Sequence, residues 1–172
     1  MLGPGGVGKS TLGRALASQL DWPLVDLDLV FCDRIAVIGD YIAAKGYAAY
    51  RAANLALAQA LVAEAMIPQV FVTPSGFLAA APETSDYRQA RALVAGGYGI
   101  VLLPSLDIEL ACRIVVAPQL TRGFGFEATS ESEKFRTRFP LYRAAGDALV
   151  VSTAPPDAMA AAVIAATGMR QV

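Results

Sequence analysis

Leu12, Ala15, Leu16 and Leu20 recur at helical spacing and predict a first helix over residues 9–20. Pro23 then opens a short apolar strand over 24–27. Residues 33–44 and 47–66 read as two helices parted at Gly46, and 69–73 (QVFVT) is an apolar strand between turn signals. A helix over 86–95 stops at Gly96-Gly97, a buried strand over 100–103 is ended by Pro104, and Ser105 can cap a short helix to about Arg113. Residues 115–129 carry Pro118, Gly123 and Gly125 without periodicity and predict a mobile loop. Ser130 and Glu133 have capping-box spacing ahead of a helix to Ala145, stopped by Gly146. Residues 148–152 form the last strand, Pro155-Pro156 turn the chain, and 157–167 form the last helix.

Continuously apolar strands separated by helices imply an α/β fold, a parallel sheet covered on both faces. A chain of 172 residues suits one domain, 1–172, able to bury a core without disulfides or a structural metal. Its 55% hydrophobic content and mean hydropathy of +0.48 owe much to Ala, and charges interrupt every apolar run, so nothing in the sequence spans a bilayer. The start MLGPGG lacks the basic flank and apolar stretch of a secretory signal, which predicts a cytoplasmic protein. A net charge of −1 gives no electrostatic footprint for nucleic acid. Cys32 and Cys112 are far apart and read as buried free thiols. With no His in the chain, proton transfer falls to a carboxylate, Lys, Tyr or water.

Residues 3–10, GPGGVGKS, match GxxxxGK[ST] in full and lead straight into the first helix. Gly3, Gly5, Gly6 and Gly8 let backbone N–H groups converge on phosphate oxygens, and the helix N-terminus adds positive potential. The expected ATP site is thus Gly5, Gly6, Val7, Gly8, Lys9, Ser10 and Thr11, with Lys9 on the β/γ phosphates and Ser10 on Mg²⁺. Such a loop normally follows a buried strand, yet only Met1 and Leu2 precede Gly3. Either the fold lacks its usual central strand or the natural reading frame continues upstream; the second is the expectation, because unpaired backbone groups beside a missing central strand are costly.

Asp26-Leu27-Asp28 stands at the end of the second strand, where alternation predicts both carboxylates on one side, facing the phosphates. In a P-loop kinase one carboxylate holds Mg²⁺ through water and another orients or deprotonates the attacking hydroxyl. The strand over 69–73 ends without an acid, so the metal-side carboxylate must come from this pair.

GPGGVGKSTLGRALA, DLD, KGYAAYR and RFPLYR together resemble the shikimate kinase family over nearly the whole chain. The resemblance implies ATP-dependent phosphorylation of a small carboxylated alcohol, shikimate first, as a step in aromatic amino acid biosynthesis. It implies a P-loop three-layer α/β/α fold with a five-stranded parallel sheet of order 2-3-1-4-5, its first strand truncated here, and a lid at about 114–130. Asp28 would bind and activate the acceptor hydroxyl, and Asp26 would act through a Mg²⁺-bound water. Arg51 and Arg138 would clamp the acceptor carboxylate beside Gly76. Arg122 would be the lid arginine that stabilises the transferring phosphoryl group, Arg113 would assist at the nucleotide, and Pro155 would lie by the adenine. A monomer is expected.

The chain departs from that pattern at three places: Asn54 stands for a glutamate, Pro74-Ser75-Gly76 for three glycines, and Gly123-Phe124 for Pro-Leu. All lie in the acceptor half or the lid. A kinase of another hydroxy acid such as gluconate, and a non-catalytic ligand-sensing domain of a transcriptional regulator, fit the same loop.

Overall fold

The computed structural model describes residues 1–120 and 127–171. In chain order its elements are α1 (Lys9–Leu20), β1 (Leu24–Asp26), α2 (Leu27–Arg34), α3 (Ile38–Glu64), β2 (Val70–Val72) and α4 (Ser85–Ala95), followed by β3 (Ile100–Leu103), α5 (Ile108–Leu120), α6 (Ala128–Arg143), β4 (Ala148–Val151) and α7 (Pro156–Thr167).

Two parallel strand pairs form among the described residues, β1 with β2 and β3 with β4, where one five-stranded sheet with a truncated first strand was expected. Met1 and Leu2 lie between the pairs. The Leu2 N–H donates to the Ile100 carbonyl at 2.8 Å and the Leu2 carbonyl accepts from Leu102 N–H at 3.0 Å. Towards β2, the Met1 nitrogen donates to the Phe71 carbonyl, and the Met1 carbonyl accepts from Thr73 N–H at 3.1 Å. Two residues therefore supply backbone partners to both neighbours, where the sequence suggested an unfilled gap.

β3 is buried along its whole length because its two faces feed two cores. Ile100 and Leu102 join Leu12 and Leu16 of α1 and Met159, Ala160 and Val163 of α7. Val101 and Leu103, with Leu2, join Leu55 of α3, Val115 of α5 and Phe135 and Phe139 of α6. The period-two alternation of a strand is what sorts these side chains into separate layers.

Several boundaries move for local reasons. Leu27 begins α2 and does not end β1, so the first helix after that strand starts six residues ahead of its expected position at Asp33. The break at Gly46 falls as expected, as a non-helical residue (φ 84°, ψ 161°) inside α3. Ser105 accepts from the Asp107 N–H, and Asp107 Oδ1 is what accepts from Leu110 at the start of α5. The expected mobile loop from Val115 is helical to Leu120, because Ala111, Cys112, Val115 and Val116 repeat at helical spacing and are buried. Pro118 sits in the last turn, where it lacks the N–H that would donate to the Ile114 carbonyl, and the helix runs only two residues further. The Ser130–Glu133 box does not cap: α6 starts at Ala128, and Glu127 precedes it as N-cap. Of the expected lid, 121–126 lie outside the described residues, Arg122, Gly123 and Phe124 among them. Cys112 is buried as expected, whereas Cys32 is exposed on α2.

Candidate active site

Gly8 takes φ 97°, a left-handed conformation that turns the phosphate loop into α1 at Lys9. Lys9 is only 8% exposed and its Nζ donates to the Pro4 carbonyl at 2.8 Å, so the ammonium is held inside the loop. Gly5, Gly6, Gly8, Lys9, Ser10 and Thr11 line one wall of a cleft of ≈ 620 Å³. Val7 points away and packs against both cores, which fixes the loop to the layers beneath it. The first turn of α1 carries no acidic residue, leaving its N–H groups free of a competing carboxylate.

The facing wall comes from α2, α3 and the end of β2: Asp28, Ile38, Ile42, Tyr50, Val72 and Thr73 are among its residues. Asp28 stands in the first turn of α2 and accepts a hydrogen bond from the Tyr50 hydroxyl at 2.9 Å. Burial and the nearby Asp28 charge push the Tyr50 phenol well above its ordinary range, so it stays a donor. Asp26 is 8% exposed at the end of β1, where it is the N-cap of α2 without making a side-chain cap bond. The helix start at Leu27 overturns the expected strand alternation: Asp26 ends a strand in register with Val72, whereas Asp28 lies in the first turn of a helix and lines the cleft itself.

The residues assigned to the acceptor line crevices that adjoin this cleft. Arg51 and Gly76 share one with Tyr50, Asn54, Pro74 and Phe77. Arg138 shares another with Pro4, Gly5, Ser75, Glu131 and Tyr142. Tyr50 and Ser75 also line the main cleft and so connect the spaces. Asn54 Nδ2 reaches the Tyr50 carbonyl at 3.5 Å, while Asn54 Oδ1 and Arg51 Nε are buried without hydrogen-bond partners. Tyr142 donates to the Ser75 carbonyl at 2.8 Å, and burial pushes its phenol up to about 12. Tyr47, Tyr50 and Tyr142 were not singled out in the sequence; their placement within KGYAAYR and RFPLYR, next to both arginines, was the available signal.

Two further residues lie elsewhere. Arg113 is exposed on α5, near the Glu109 carboxylate that Arg136 engages through two hydrogen bonds at 2.8 and 2.7 Å. Pro155 is exposed as N-cap of α7. Arg122 falls outside the described residues. Among the described residues no group of three or more His, Cys, Asp or Glu could hold a metal by itself, and no helix is long and apolar enough to cross a membrane.

The sequence model of the family described as shikimate kinase matches residues 5–167. Shikimate kinase 2 of Syntrophotalea carbinolica is 27% identical over 165 residues, spanning 92% of this chain and 90% of the relative. Shikimate kinase 2 of Dickeya chrysanthemi is 28% identical, spanning 92% and 89%. The shikimate kinase from Acinetobacter baumannii in complex with shikimate superimposes with a TM-score of 0.73 at 20% identity, covering 96% of this chain and 89% of that one. The Aquifex aeolicus shikimate kinase does so with 0.71 at 19%, covering 97% and 94%. The fold is therefore a P-loop α/β fold, and the chain belongs to the shikimate kinase family.

Proposed function

We propose that this protein transfers the γ-phosphoryl group of ATP to a hydroxyl of shikimate. The observation that carries the reading is that Lys9, Ser10 and Asp28 face one cleft, with the phosphate loop on one wall and a carboxylate on the other. Lys9 leaves its Pro4 carbonyl for the phosphates, a change of partner within the same loop. The acceptor oxygen forms its bond to γ-phosphorus as the bond to the ADP oxygen breaks, and the hydroxyl proton passes to Asp28. Tyr50 holds that carboxylate in place. Arg51, Arg138 and Gly76 take the acceptor carboxylate in the adjoining crevices.

Mg²⁺ suits oxygen donors such as these: Ser10, on the cleft wall, and Asp26, a nearly buried carboxylate without a cap bond, would hold it. Bound there, the ion supplies positive charge to the phosphates. We read the two strand pairs, joined through Met1 and Leu2, as a sheet of family order 2-3-1-4-5 in one domain. The same reading makes the protein a cytoplasmic monomer and gives Arg122 the role of stabilising the transferring phosphoryl group.

A coupled ADP-release assay across a panel of hydroxy acids tests the reaction. Shikimate-dependent ADP release that requires Mg²⁺ is the expected result. Release with gluconate alone would move the protein to another acceptor, and ATP binding without release to any acid would make it a binding domain.

A further inference from the structure

Arg51, Gly76 and Arg138, which the reading above assigns to one acceptor, have a common neighbour in Tyr47. The Arg51 Cζ lies 5.9 Å from the centre of the Tyr47 ring and the Arg138 Cζ 6.0 Å from it. An Arg138 Nη2 hydrogen bond reaches the Tyr47 hydroxyl at 3.5 Å. The same hydroxyl rests on Gly76, where an added Cβ would overlap it. One phenol thus occupies the space that a carboxylate between these arginines would need.

Its hold on that space is weak. Both ring contacts are at the outer limit for a cation over an aromatic face, and the hydrogen bond is long. Tyr47 is 40% exposed. It follows Gly46, whose φ of 84° and ψ of 161° interrupt the helix immediately before it. Arg51 Nε, buried without a hydrogen-bond partner, lines the crevice beside Gly76. A carboxylate offers that guanidinium paired, charge-assisted hydrogen bonds, which a ring face does not.

We propose that Tyr47 is a tethered occupant of the acceptor's carboxylate subsite and the residue that sets specificity there, admitting an acceptor whose anionic group displaces the phenol from both arginines. The inference rests on the acceptor role given above to Arg51 and Arg138. A neutral polyol, unable to compete for the guanidinia, is excluded. Because part of the binding energy is spent on displacement, the apparent affinity of wild type is reduced by the fraction of molecules with the subsite open.

Two variants, Tyr47→Ala and Tyr47→Phe, and two readouts test this. Arginine labelling with phenylglyoxal, followed by peptide mass spectrometry without any acceptor, should be faster at Arg51 and Arg138 in Tyr47→Ala, with Arg14 and Arg34 unchanged as internal references. Tyr47→Phe keeps the ring but loses the hydroxyl, so labelling of Arg138 alone should rise, and this variant decides the matter if Tyr47→Ala does not fold. Shikimate KM should fall by about three- to thirty-fold in Tyr47→Ala, with the ATP KM unmoved. Labelling and KM both unchanged, or a raised shikimate KM with unchanged labelling, would overturn the proposal. If labelling rises as expected while neither wild type nor variant phosphorylates shikimate, the occupied subsite stands and the acceptor assignment fails.

Discussion

Lys9 is a charge kept almost out of water by the loop it serves, its ammonium on the Pro4 carbonyl in advance of any phosphate. Its value to binding is that its position is set before the ligand arrives. ATP with Mg²⁺ should raise the Tm by mass action, and Lys9→Ala should abolish that rise in a thermal-shift measurement. Asp28 and Tyr50 form a pair of a different kind, a proton acceptor and the donor that orients it. Asp28→Asn should lower kcat by about two to four orders of magnitude with ATP binding retained, the scale for loss of a positioned base. Tyr50→Phe leaves the carboxylate in place and removes one neutral donor, so its kcat should fall about three- to thirty-fold, in line with one hydrogen bond. Steady-state kinetics on both variants separate the roles. An equal loss in each would mean that Tyr50 acts on the reacting atoms directly.

At the scale of elements, the site depends on how closely α1 lies on the sheet. Gly13 faces β2, and a Cβ there would stand 2.6 Å from Val72 Cγ2. Helix propensity favours Ala over Gly by about 1 kcal/mol, whereas forcing a methyl into a packed interface costs about 1–3 kcal/mol. Val72 is β-branched, 2% exposed and part of the cleft wall, so it has little room to yield. Gly13→Ala should therefore lower the Tm, against the trend for an exposed helix. α6 is tied to the turn after β2 by the Tyr142–Ser75 bond. The folded pKa of Tyr142, about 12, lies above the value near 10 of an unfolded tyrosine. Its contribution is therefore complete below about pH 10 and is lost as the pH rises towards about 12, because the unfolded chain gives up this proton first. Tyr50 is raised in the same direction. Denaturant titrations of Tyr142→Phe should show a shallower fall in stability over that alkaline window than wild type.

For the molecule as a whole, β3 is the shared wall of two cores, with Leu102 in one and Leu103 in the other. Both are 0% exposed. Truncating either to Ala should cost about 2–5 kcal/mol, the range for a large-to-small change in a packed core. Because the strand transmits the loss to both layers, each variant should still unfold in one calorimetric transition. Two resolved transitions in either variant would show that the layers fold independently.

The phosphate loop was legible in the sequence because its chemistry is local. GPGGVGKS prescribes a turn, a helix start and a lysine within one short stretch, and no distant residue is needed to define it. The apolar strands and the break at Gly46 were legible for the same reason. Boundaries at Leu27, Ala128 and Leu120 were not, since each is decided by what a segment packs against: the burial of Val115 and Val116 carries α5 past the point where Pro118 suggested a loop. The acceptor half was readable only as residue types. Arg51, Gly76 and Arg138 stand far apart in the chain, and the sequence holds no sign that one tyrosine touches all three. Nor does it show that Arg51 Nε is buried without a hydrogen-bond partner, or that Met1 and Leu2 bond to strands on either side. Sequence determined which groups could bind phosphate and carry a proton, because spacing along the backbone suffices for that. Tertiary structure decided which of them share a cleft, because side chains distant in sequence meet only where packed layers bring their elements together.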